Sequence, residues 1–142
     1  MEAGDSDIDA RRHWDMSAQL RRAGLRPTRQ RVGLARLLFA GPDRHVRAEE
    51  LSREARAAGL RVSLATVYNT LHQFVDAGLL RRVDVEPGRA CFDTNLSPHH
   101  HFHDVGTNEL IDFEAASVAI TGLPEAPDGK TVTHIDLVVR VR

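Results

Sequence analysis

The sequence predicts an α+β protein made of two units, a helical first half and a smaller mixed second half. Three observations predict this class. Four stretches with helical apolar periodicity in the first half each end at a glycine. Two short β-type runs follow, separated by the turn signal Glu-Pro-Gly, and the chain ends in a segment that alternates from Val132 onward.

Composition is that of an ordinary globular protein. Of the 142 residues, 42% are hydrophobic and 27% are charged, which is usual for a water-soluble domain. No apolar run approaches the roughly 20 residues that span a bilayer, and the acidic start M-E-A-G-D is unlike a secretory signal. We therefore expect a cytoplasmic protein with no membrane partner, in which residues 1–14 are flexible.

The cysteine count limits the chemistry. Cys91 is the single cysteine, so neither an internal disulfide nor a C-x-x-C zinc clamp can form. Any metal site must therefore use nitrogen and oxygen ligands. The motifs H-E-x-x-H and G-x-S-x-G and a phosphate-cradling glycine loop are absent from the sequence. The sequence therefore does not predict an enzyme, and Cys91, within R-A-C-F-D, is expected to be a structural thiol.

Charge is distributed unevenly along the chain. Residues 1–94 carry 16 arginines and 13 acids, a net +3, whereas residues 95–142 carry three basic residues and seven acids, a net −4. Residues 11–31 hold seven of the arginines and one acid. This basic segment permits binding to an anionic polymer, and a solvated helical face is the alternative.

Capping and helix-ending signals delimit the first three helices. Serine, threonine and aspartate favour N-caps, acids favour the first turn, and glycine favours the position after the last turn. The expected bounds are Asp15 to Gly24, Thr28 to Gly41 and Arg47 to Gly59.

The fourth helix, Ser63 to Gly78, has the clearest pattern. Its apolar side chains recur every three or four residues and predict one buried stripe: Leu64, Val67, Tyr68, Leu71, Phe74 and Val75. The opposite stripe is polar but uncharged, namely Thr66, Asn69, Thr70 and Gln73. Short amides and hydroxyls suit contact with base edges, and a solvated face is again the alternative.

Helices followed by a two-stranded ribbon predict a winged helix-turn-helix over residues 1–94. In that arrangement the fourth helix enters the DNA major groove, and Arg81, Arg82 and Arg89 lie along phosphates. Residues 95–142 form a second, α/β unit with an alanine-rich stretch and the alternating C-terminus. Fewer than 50 residues rarely stabilise a core alone, so we expect this unit to dimerise the protein. Its histidine run makes it the expected ligand-sensing unit as well.

The run S-P-H-H-H-F-H-D, Ser97 to Asp104, holds four of the eight histidines. In an extended strand, His99, His101 and His103 share one face, and His100 and Phe102 share the other. Two histidines on one face need further donors, and Asp93 with a distant histidine would complete a set suited to zinc, iron, manganese or cobalt. The other face would need a residue such as His134.

Several motifs together resemble the ferric uptake regulator family: G-L-R-P-T-R-Q-R, A-E-E-L, S-L-A-T-V-Y-N-T-L-H-Q-F-V-D-A-G-L-L, F-D and H-H-H-F-H. The resemblance covers residues 17–142 and implies a dimeric, metal-responsive winged-helix repressor. R-P-T-R-Q-R and D-T-N look most like the iron response regulator branch of alpha-proteobacteria.

The resemblance implies particular site residues. The family's interdomain metal ligands fall on His45, Asp93, His101 and His103. Its second metal site falls on His100 and His134, but Phe102 replaces an acid and an alanine near Ala119 replaces a glutamate. For DNA, the resemblance implies base contacts by Tyr68 and Asn69 and a minor-groove contact by Arg26, and the polar stripe of the fourth helix adds Thr66.

The iron response branch also implies haem. Some of its members carry a Cys-Pro haem motif near the N-terminus, where this chain has R-R-H-W-D-M, with His13 and no cysteine. Without that motif, the resemblance still implies haem binding at the histidine cluster.

The sequence therefore predicts a homodimeric, iron- or haem-responsive transcription regulator that binds an inverted-repeat operator and a divalent iron, manganese or zinc ion. The alternative is a haem or metal sensor that acts mainly through protein contacts or haem-triggered turnover, with DNA binding secondary.

Overall fold

The computed structural model describes residues 16–142. The expected cap Asp15, His13 and the segment 1–14 lie outside the described residues. The chain divides into two compact units, Met1–Leu96 and Ser97–Arg142, a boundary two residues after the one expected from the sequence.

Four helices lie in the described part of the first unit, residues 16–96. They are α1 (residues 16–22), α2 (Arg29–Phe39), α3 (Ala48–Ala57) and α4 (Leu64–Asp76). The expected caps form, because the hydroxyls of Thr28 and Ser63 accept the backbone N–H groups of Arg31 and Thr66 at 3.2 and 3.1 Å. Local sequence therefore sets where α2 and α4 begin.

The core of the first unit lies between the helices and the sheet, and Phe74 of α4 and Phe92 are fully buried in it. The predicted faces of α4 need two corrections. Leu64, expected in the buried stripe, is 44% exposed, whereas Thr70, expected in the polar stripe, is buried. The buried positions 67, 70, 71 and 74 follow the i, i+3, i+4, i+7 pattern of one helix face, and Leu64 stands on the first turn of the helix.

A three-stranded antiparallel sheet completes the first unit. It contains β1 (His45–Val46), β2 (Arg81–Glu86) and β3 (Arg89–Asp93), in the order β1-β3-β2. The β2–β3 hairpin is the predicted ribbon, and Gly88 takes the left-handed conformation in its turn, with φ of +76°. β1 was not predicted; its register places His45 opposite Asp93.

The second unit is a separate three-stranded sheet. Its strands are β4 (His99–Asp104), β5 (Leu110–Glu114) and β6 (Val138–Val141), in the order β5-β4-β6. β4 pairs antiparallel with β5 and parallel with β6. The histidine-rich strand is therefore the central strand.

The second unit is less regular than the sequence predicted. The alanine-rich stretch forms only a short 3₁₀ turn, Ala115–Ser117, and the alternating segment is a strand only over Val138–Val141, where β4 supplies a hydrogen-bonding partner. Prolines and glycines lie between these elements, which disfavours regular structure there.

Large apolar side chains remain exposed in the second unit: Val105, Ile111, Ile120, Leu123, Val132, Ile135 and Val139. None of the helices in the described part of the chain is long and apolar enough to cross a bilayer.

Ser63→Ala should lower the free energy of unfolding by about 1 kcal/mol, because it removes the acceptor for the first-turn N–H of α4. Urea unfolding followed by circular dichroism measures this change. Ser63→Asp keeps an acceptor and is the matched control; an equal loss in both variants would contradict a capping role.

Candidate metal centre and nucleic-acid interface

His45 and Asp93 form a pair in the first unit, here called the N-terminal pair. They face each other across β1 and β3, and His45 Nε2 lies 3.2 Å from Asp93 Oδ2. The Asp93 side chain is 1% exposed. Its other oxygen, Oδ1, accepts the backbone N–H of Asn95 at 2.9 Å. The carboxylate is thus fixed through one oxygen and presents the other to the imidazole.

His99, His101 and Asp112 form a second group, here called the β4–β5 triad. His99 and His101 share a face of β4, and Asp112 is the cross-strand partner of His101 on β5. One ligand atom from each lies within 4.8 Å of the others. The two Nε2 atoms are 3.1 Å apart, and His101 Nε2 is 3.3 Å from Asp112 Oδ1.

The orientation of His99 suits metal binding. Its Nδ1 lies 2.6 Å from the carbonyl oxygen of Ser97, so the proton sits on Nδ1 and the Nε2 lone pair faces His101. Metal-binding histidines commonly donate their other ring N–H to a carbonyl or carboxylate in this way. The β4–β5 triad therefore presents two nitrogens and one oxygen to a common point.

His103, the remaining metal ligand predicted from the sequence, contacts a residue of the hairpin turn. Its Nε2 lies 2.7 Å from Asn108 Oδ1, a contact in which the ring nitrogen donates. Asn108 has a φ of 61° and closes the β4–β5 turn. The adjacent N–H groups of Thr107 and Gly106 bond to Asp104 and lower the pKa of that carboxyl.

Sequence reasoning missed Asp112 and did not choose His99. The period-two pattern already placed His99 on the face of His101. Asp112 lies in N-E-L-I-D-F, and only the length of the turn after β4 tells which residue of that segment faces His101. A hairpin register, had one been assigned, would have found it.

The structure gives His100 and His134 separate partners. His100 Nδ1 accepts the backbone N–H of Leu137 at 3.2 Å, and its ring packs on Phe113. Phe102 packs on the same Phe113 ring at 4.7 Å. His134 is exposed, 3.1 Å from Asp136. Among residues 16–142, neither histidine belongs to a group of three close ligand side chains.

The exposed face of α4 carries Asn69 and Gln73, while Thr66 and Tyr68 are half-buried. Gln73 Oε1 accepts two hydrogen bonds from Arg31 at 3.0 and 3.2 Å, and Arg31 Nη1 also donates to the carbonyl of Arg26 at 2.9 Å. Arg31 therefore ties the loop that holds exposed Arg26 to the polar side of α4.

The ribbon arginines have acidic neighbours. Arg82 Nε lies 2.9 Å from Asp84, and Arg89 lies 3.9 Å from Glu86. These acids offset part of the positive charge that the sequence assigned to phosphate contacts.

Comparison with known proteins identifies the family. Residues 22–139 match the model of the ferric uptake regulator family. The chain belongs to this family. Its members are metal-responsive transcription regulators that bind DNA and act as dimers. The ferric uptake regulation protein of Pseudomonas aeruginosa is 40% identical over 103 residues, which cover 72% of this chain and 77% of the relative. That of Escherichia coli K12 is 33% identical over 105 residues, 73% and 71% of the two chains.

Solved structures agree with this assignment and confirm the predicted α+β class with its winged helix and α/β dimerisation domain. The regulator of Pseudomonas aeruginosa, solved with manganese, has a TM-score of 0.71 at 32% identity and covers 89% of this chain and 96% of its own. The Vibrio cholerae regulator has a TM-score of 0.69 at 27% identity, with 89% and 98% covered.

Cys91 should resist alkylation in the native protein. Burial raises the pKa of its thiol to about 11, so the reactive thiolate is scarce at pH 8. Labelling with iodoacetamide, read by mass spectrometry, should be slow in buffer and fast in urea. Rapid labelling of the folded protein at pH 8 would show that Cys91 is accessible.

Proposed function

We propose that the protein is a homodimeric transcription regulator whose DNA affinity is set by one divalent ion held by the N-terminal pair and the β4–β5 triad. The observation that carries this proposal is the β4–β5 triad, in which two buried imidazole nitrogens and a carboxylate oxygen converge. The proposed ligands are His45, Asp93, His99, His101 and Asp112. His103, the remaining ligand expected from the sequence, instead lies against Asn108 in the hairpin turn.

Ligand counting supports a single ion. Zinc takes four ligands and iron or manganese takes more, from imidazole and carboxylate. The N-terminal pair supplies two donors and the β4–β5 triad supplies three, so each group alone falls short of a filled site. A cation also offsets the cost of burying the Asp93 carboxylate. An ion that binds both groups favours one arrangement of the two units, which couples metal binding to DNA binding.

The proposed DNA surface is the polar side of α4. Asn69 and Tyr68 contact base edges, Thr66 lies beside them, and Arg26 reaches the adjacent minor groove. The Arg31 contacts with Gln73 and with the Arg26 carbonyl support this arrangement, because they hold the loop and the helix together before DNA binds. Two copies joined through the second unit would read an inverted repeat.

We propose that iron is the physiological signal of this regulator. We also propose that the protein belongs to the iron response branch and acts in the cytoplasm. The assignment to this branch rests on the motifs R-P-T-R-Q-R and D-T-N.

A haem site at His100 and His134 is the weaker alternative, because His100 Nδ1 accepts the Leu137 N–H and His134 pairs with Asp136. An absorbance titration with haem tests it; a Soret band that His100→Ala abolishes would favour the haem sensor.

His45→Ala and Asp112→Ala should each lower Mn²⁺ affinity by at least roughly ten-fold. Loss of a group that only orients a metal ligand commonly lowers affinity by roughly 10–100-fold, and loss of a ligand itself should lower it no less. If both residues bind one ion, the two effects are non-additive in the double variant. Calorimetric titration gives affinity and stoichiometry, with His134→Ala as the control outside the site. Additive losses with two ions per chain would contradict the shared site.

Asn69→Ala should weaken binding to a selected operator by about 1–3 kcal/mol and leave binding to random DNA almost unchanged, because a lost base contact removes sequence discrimination. Fluorescence anisotropy at fixed salt measures both, using a duplex selected from a random pool by the unaltered protein. Arg82→Ala is the matched control for a phosphate contact and should weaken both complexes equally. Equal losses for Asn69→Ala would argue against base reading.

A further inference from the structure

We infer that Thr94, Arg44 and Glu54 are positioning residues for the N-terminal pair, an inference that rests on the proposed metal site. None of the three is a proposed ligand. Thr94 follows Asp93 in the chain, and Arg44 precedes His45. The three residues link the two short strand ends that carry the ligands to the helices beneath them.

Thr94 continues the β1–β3 pairing beyond its last residue pair. Its hydroxyl accepts the backbone N–H of Arg44 at 2.8 Å, and its own N–H donates to the Arg44 carbonyl at 3.0 Å. The Thr94 hydroxyl thus supplies the hydrogen-bond acceptor that a neighbouring strand would otherwise give to the Arg44 N–H. Without this hydroxyl, the partly buried backbone N–H of Arg44, the residue before His45, loses its hydrogen-bond acceptor.

The Arg44 side chain connects this backbone segment to two helices. Its Nη1 and Nη2 donate to the two carboxylate oxygens of Glu54 on α3, both at 2.7 Å, and Nη1 also lies 3.3 Å from the carbonyl of Leu37 on α2. Paired hydrogen bonds between a guanidinium and a carboxylate fix direction as well as distance. Arg44 is therefore held at its backbone by Thr94 and at its tip by Glu54.

The need for this support follows from the length of β1. A strand of two residues, His45–Val46, makes too few backbone hydrogen bonds to hold a side chain by itself. Metal ions demand ligand positions within tenths of an ångström, and loss of the groups that orient ligands commonly lowers metal affinity by roughly 10–100-fold. Thr94, Arg44 and Glu54 supply that orientation to His45 and Asp93.

Thr94→Val tests the inference, because valine keeps the shape and removes the hydroxyl. Co²⁺ serves as the probe, since its visible spectrum reports coordination geometry. We expect Thr94→Val to lower Co²⁺ affinity roughly ten-fold and to change the spectrum, Thr94→Ser to restore both, and the spectrum of Glu54→Gln to shift in the same direction. Asp84→Asn, which breaks the surface pair with Arg82, is the matched control and should leave both unchanged.

Each outcome has one meaning. Thr94→Val with unaltered Co²⁺ affinity and spectrum, in a protein that binds Co²⁺ and loses it on Asp112→Ala, overturns the positioning role alone. An unaltered protein that binds no Co²⁺ overturns the proposed metal site and the positioning role with it. If Thr94→Val does not fold by circular dichroism, Glu54→Gln decides: an unchanged affinity and spectrum overturn the inference, and a loss supports it.

Discussion

The pairing of β1 with β3 is the constraint on which the proposed metal ligands His45 and Asp93 depend. It sets His45, on the short strand before α3, against Asp93 at the end of the ribbon, two residues 48 positions apart in the chain. Because Asp93 is buried, its carboxylate needs polar neighbours; the Asn95 N–H donates to one oxygen, and the His45 imidazole lies 3.2 Å from the other. The same strand β3 contributes Phe92 to the core, so ligand geometry and hydrophobic packing are determined together.

In the second unit, cross-strand pairing again brings polar side chains together, here between β4 and β5. Cross-strand pairing sets Asp112 opposite His101, and the alternation of β4 adds His99 to the same face. The reverse face is aromatic, with Phe102 and Phe113 in contact beside His100. One strand therefore separates a polar side, which carries the proposed ligands His99 and His101, from an apolar one. Alternation along β4 places His100 on this apolar side together with Phe102.

Much of the helical half could be predicted because the signals are local. Thr28 and Ser63 cap the helices that the sequence assigned to them, and Gly59 and Gly78 follow α3 and α4 with positive φ. β1 escaped prediction because two residues carry no periodicity. Asp112 escaped it because its role depends on the register of a hairpin. Thr70 and Leu64 exchanged their expected environments because burial on α4 follows the packed neighbours rather than hydropathy alone.

The parallel pairing of β4 with β6 has a consequence for biosynthesis. His101 N–H donates to the Leu137 carbonyl, and Val105 N–H donates to the Val141 carbonyl, so this edge of β4 finds its hydrogen-bonding partners 36 residues further along the chain. Closing so long a loop is slower than forming a hairpin. During translation the histidine strand therefore keeps one open sheet edge until Val141 has left the ribosome.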